Sequence, residues 1–97
     1  MKSAYELAME RLRKGEPDAP RLSDEQRKAL AEVDARYRAK IAEREIMAQE
    51  EILKAEAAGK PEAAVQARER LQKEVSRLEA ERESVKERIR AETARDE

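Results

Sequence analysis

The amino-acid sequence predicts an all-α protein: a long antiparallel two-helix coiled-coil hairpin with a short N-terminal helix on a proline-containing linker. Three observations predict it. Ala, Glu, Lys, Arg and Leu make up about two thirds of the 97 residues, beyond the roughly one half that marks long helices and coiled coils. After Pro20 the only Gly or Pro residues stand in Gly59-Lys60-Pro61, so two long uninterrupted segments flank a single break. The apolar residues of those segments keep helical spacing and can be paired with one another. The whole chain, 1–97, reads as one helical domain.

Each element has its own start and stop signals. Residues 1–14 form the short helix: Ser3-x-x-Glu6 has the form of a capping box, and Tyr5, Ala8, Met9 and Leu12 make one apolar stripe. Gly15 is its natural stop, because glycine tolerates the left-handed conformation at a helix end. Pro17 and Pro20 make residues 15–22 a stiff linker. Ser23-x-x-Gln26 repeats the capping signature, with Asp24 and Glu25 suited to the positive end of the helix dipole. The first long helix then runs over 23–58. Gly59 closes it, Pro61 opens the next at a first-turn position, and the second long helix runs over 61–94.

If the chain reverses at Gly59-Lys60, facing residues carry numbers that sum to about 119, as a short helix–helix turn requires. Leu30 then meets Ile89, Val33 meets Val85, Ile41 meets Leu78, and Ala48 meets Leu71. Near the turn Ile52 meets Ala67 and Ala55 meets Ala64, so small residues allow close approach there. The same rule places Glu51 opposite Arg68, as an ion pair, and Tyr37 opposite Arg82. At ~1.5 Å per residue the arm should be roughly 50 Å long. Leu30, Ile41 and Ile52 recur every eleven residues and Leu71, Leu78 and Val85 every seven, a mixture that predicts a nearly straight arm. Exposed pairs such as Glu32–Arg36, Asp34–Arg38, Glu50–Lys54 and Glu69–Lys73 would each add a few tenths of a kcal/mol to their helix.

Composition also excludes much chemistry. The chain has no Cys, His, Trp or Phe, which removes thiol and imidazole catalysis, disulfides and ordinary zinc sites. With only two glycines it has no phosphate-cradling loop. Carboxylates are abundant, but helical di-metal sites draw Glu-x-x-His pairs into a bundle core, and these glutamates fall mainly on outward positions. No catalytic, cofactor or metal residue is therefore assigned, and the chain reads as a non-enzyme without a small-molecule substrate. The longest stretch free of charge is Ala63–Ala67, far too short to span a bilayer; a cytoplasmic location is expected.

The formal net charge is −1, from 22 basic and 23 acidic residues, which argues against a nucleic-acid coat. Arg36, Lys40 and Arg44 form a basic row at i, i+4, i+8 that could touch phosphates. Neighbouring Asp34, Glu43 and Glu45 dilute its field, and no aromatic residue interleaves to stack on bases.

The more informative anomaly is apolar. Ala42, Ile46, Leu53 and Ala57 form a second stripe well away from the hairpin seam, and Met47 and Val65 also lie off it. A solitary hairpin would leave them in water, and contiguous exposed apolar patches mark contacts. They are the expected partner-binding residues.

The opening Lys2-Ser-Ala-Tyr-Glu-Leu-Ala-Met-Glu-Arg-Leu12, with Leu22-Ser-Asp-Glu-Gln26 and Ala42-Glu-Arg-Glu-Ile46, resembles small uncharacterised bacterial helical proteins of the coiled-coil hairpin kind. That resemblance implies a bacterial cytoplasm and no active site. The expected function is a protein–protein interaction module (a scaffold, adaptor or regulatory subunit) that binds itself as a homodimer or binds another helical protein. The alternative is a hairpin factor that inserts its arm into a nucleic-acid machine such as RNA polymerase or the ribosome. Factors of that kind carry acidic tips, whereas the tip here reads Glu56-Ala-Ala-Gly-Lys-Pro-Glu62.

Overall fold

The computed structural model describes residues 3–14 and 22–95, with side chains described for 3–10 and 22–92. Three helices follow one another: α1 (Ala4–Lys14), α2 (Asp24–Ala57) and α3 (Pro61–Arg95). The expected linker lies outside the described residues over 15–21. The chain is elongated, with a radius of gyration of 21.0 Å against about 13 Å for a compact domain of this size.

The helix boundaries follow the local signals. The Ser23 hydroxyl accepts a hydrogen bond from the Gln26 N–H at 3.1 Å, and the Ser23 N–H donates to Gln26 Oε1 at 2.9 Å, which completes the capping box. Gln26 Nε2 also donates to the carbonyl of Ile89 at 3.3 Å, tying the start of α2 to the far end of α3. At α1 the Glu6 N–H donates to the Ser3 hydroxyl at 3.2 Å.

Two backbone bonds close α2. Lys60 N–H donates to the Ala55 carbonyl at 2.8 Å and Gly59 N–H to the Glu56 carbonyl at 3.1 Å. This is a Schellman arrangement, which needs a left-handed residue at its centre. Gly59 supplies it with φ of 71°. A Cβ there would meet nothing within 4 Å, so the cost of a side chain is purely conformational. Gly59→Ala is therefore expected to lower hairpin stability by about 1 kcal/mol, read by urea denaturation. Gly59→Asn should cost less, because asparagine tolerates this conformation.

α2 and α3 pack along their whole length as an antiparallel hairpin. Val33, Tyr37 and Leu78 are buried together, with Ile41, Val85 and Ile89 packed against them. Nearer the turn Ile52, Ala64 and Ala67 form a second cluster against Ala55. Ala64 and Ala67 are only 1% and 2% exposed, and such small side chains let the helix axes approach. The seam thus has the expected register. Tyr37 goes beyond it: its ring lies in the core with Val33 and Leu78, with Lys40 Nζ 4.8 Å from the ring centroid.

The ion pairs depart from expectation. Glu51 bonds Arg70 at 2.6 Å rather than Arg68, and Arg68 bonds Glu56 at 2.7 Å. Helical side chains lean toward the N-terminus of their own helix. In an antiparallel pair this carries Glu51 toward higher numbers on α3 and Arg68 toward higher numbers on α2. Of the four intrahelical pairs expected, none lies among the ion pairs formed within 4 Å by described residues. Asp34 shows why: its carboxylate is taken across the seam by Lys86 at 3.0 Å, with Arg82 at 3.9 Å. The Lys86 hydrogen bond and the charges of Lys86 and Arg82 hold the Asp34 carboxyl below its ordinary carboxylate value. A carboxyl lowered by folding stabilises the folded state above its unfolded value, and that contribution disappears as pH falls through the folded one. Asp34→Asn should accordingly shrink the loss of hairpin stability on acidification, as read by urea midpoints from pH 7 down to pH ~3.

The apolar stripe of Tyr5, Met9 and Leu12 predicts that α1, on a linker of eight residues that spans at most about 26 Å, either folds back on the open end of the hairpin near Leu30, Val33 and Ile89, or swaps onto another chain or stays free for a partner. It does not fold back: α1 makes no contact with α2 or α3 among the described residues, and Tyr5 is 74% exposed. Leu12 lies outside the described side chains. Val33 is already buried with Tyr37 and Leu78, while Leu30 and Ile89 at the open end stay partly exposed.

Candidate interaction surface

At about 100° per residue, α2 turns Ile46 and Leu53 to the side opposite the seam residues Ile41, Ala48 and Ile52. Ile46 is 64% and Leu53 54% exposed. Ala42 and Ala57 share that outer face and are exposed as well. Four of the six expected partner-binding residues therefore form one row.

The other two lie elsewhere. Met47, also exposed, sits a quarter turn away beside a shallow groove along the seam, lined by Ala48, Ala67 and Leu71. Two ion pairs border that groove, Glu51–Arg70 and Arg44–Glu74. Val65 is on α3, near Glu62, Gln66 and Glu69. No single flat partner covers all six, since they belong to three faces.

The outer row is longer than Ile46 and Leu53 suggest. Ala35, Ala39, Ala42, Ile46, Gln49 and Leu53 are all exposed and separated by alternating steps of four and three. That is the spacing of a coiled-coil seam. Sequence reasoning missed Ala35 and Ala39 because alanine carries little weight in a search for large apolar residues; the four-three spacing was the available signal.

The basic row is partly engaged within the chain. Arg44 Nε lies 3.9 Å from the Glu74 carboxylate, Lys40 sits over the Tyr37 ring, and Arg36 is exposed. At the tip, Arg68 neutralises Glu56. Among the described residues no helix is long and apolar enough to cross a membrane.

Fold and surface together define a helical hairpin whose second helix has two apolar faces, one buried against α3 and one uncovered. Compared with models of known families, with curated proteins and with solved structures, the chain matches none.

Proposed function

We propose that the chain is a non-enzymatic protein–protein interaction module that associates with itself through the outer face of α2, as a scaffold, adaptor or regulatory subunit. The observation that carries this reading is the exposed row through Ala42, Ile46, Leu53 and Ala57 on the side away from the seam. Large aliphatic side chains spaced one heptad apart gain little in water and gain much against a second helix. The absence of histidine and cysteine supports a role without thiol or imidazole chemistry. The insertion of the arm into a nucleic-acid machine has weaker support. It rests on elongation, while the tip glutamate Glu56 is bonded by Arg68 and Arg44 is partnered by Glu74.

Two copies carrying different affinity tags, co-expressed in the source cell, separate the readings. Capture of one copy through the other's tag is the expected result. Recovery of polymerase or ribosomal subunits without the second copy would favour the alternative.

A further inference from the structure

We propose that the two copies meet antiparallel through α2, in the one heptad register that sets Ala39 against Ala42, and Ala35 against Ile46, of the other copy. This rests on the self-association argued above and adds its orientation and register.

The charges beside the outer row carry the argument. Beside the internal seam, charged side chains are paired from helix to helix: Asp34–Lys86, Arg44–Glu74, Glu51–Arg70 and Glu56–Arg68. Beside the outer row, Arg36 and Glu43 lie on one edge, and Arg38 and Glu45 on the other. None of these four has an ion pair within 4 Å among the described residues, and all are exposed. In the proposed register Arg36 faces Glu43 of the second copy and Arg38 faces Glu45. The two-fold axis repeats both pairs. A shift by one heptad toward the C-terminus would set Glu43 against Glu43 and Glu45 against Glu45. A shift toward the N-terminus would set Arg36 against Arg36 and Arg38 against Arg38. Parallel pairing would keep Arg38 beside Glu43 but would place Glu45 beside Glu50, and would leave Arg36 without an acidic partner. Like charges at such flanks select against a register.

Packing agrees with charge. Ile46 fits over Ala35, and the paired alanines at Ala39 and Ala42 let the helices approach closely at the centre. The two-fold axis falls between Lys40 and Ile41, the midpoint of the 34-residue helix Asp24–Ala57. The two helices then overlap along their full length, and the aliphatic stem of Lys28 covers Leu53 of the other copy.

Sedimentation equilibrium of charge variants tests the register, with circular dichroism to show that each variant stays helical. Arg36→Glu with Arg38→Glu should weaken association about tenfold or more. Adding Glu43→Arg and Glu45→Arg to the same chain should restore it, because every pair is exchanged rather than lost. A chain bearing Ala39→Cys should also form a disulfide with one bearing Ala42→Cys, in a protein that has no cysteine of its own. Association that is unchanged by the double variant, or unrestored by the fourfold exchange, would overturn the register while leaving self-association standing. An unmodified chain that is monomeric would overturn both.

Discussion

Leu78→Ala is expected to destabilise the hairpin by about 2–4 kcal/mol. Leu78 is 5% exposed and contacts Val33 and Tyr37 in the larger of the two core clusters. Truncation removes the transfer free energy of three carbons and leaves a cavity. The facing helix can collapse into that cavity only by disturbing the capped and turn-locked ends. The effect is large relative to the whole, because small domains have a total stability of about 5–15 kcal/mol. At about 4–8 °C per kcal/mol for a chain of this size, the melting temperature should fall by roughly 8–30 °C. Since association raises apparent stability with concentration, both proteins must be melted at the same concentration. A change below ~0.5 kcal/mol, the range of ordinary surface substitutions, would show that the seam does not run through Leu78.

Ile46→Glu combined with Leu53→Glu is expected to abolish association while leaving the helix content of the hairpin intact. Burying a full aliphatic side chain is worth about 1.5–3 kcal/mol. Two per copy give four across a two-fold interface, from which the costs of association must be subtracted. The glutamate at position 46 does more than remove that gain, because it sets a charge against Ala35 of the other copy in a contact that excludes water. A weakening of at least about 100-fold follows from a loss of ~3 kcal/mol. Both positions are exposed in the single chain, and glutamate is a good helix former, so circular dichroism should hardly change. Loss of helicity together with association would mean that these side chains support the hairpin itself.

Much of the fold was legible because its signals are local. Ser23 and Gln26 cap α2 from their own backbone neighbourhood, and Gly59 ends it by a conformation that glycine adopts readily. Once the turn is placed, the seam follows by counting, and Ile52, Ala64 and Ala67 fall where the counting puts them. The ion pairs were less legible. Their partners depend on how far long side chains lean along the helix, as the exchange of Arg68 from Glu51 to Glu56 shows. The position of α1 was not legible either, since an amphipathic stripe says that a helix can bury one face without saying against what. Of the candidate surface, Ile46 and Leu53 with Ala42 and Ala57 were visible as apolar residues off the seam, whereas Ala35 and Ala39, which extend the row toward the start of α2, were not.

Self-association requires the outer face of α2 to be covered by a second copy of the chain. Sedimentation equilibrium of the unmodified protein, from low to high micromolar concentration, tests it most directly. A self-associating hairpin gives a weight-average mass that rises from 11.2 kDa toward twice that value as concentration increases. A mass that stays at that of the single chain throughout the series would contradict it.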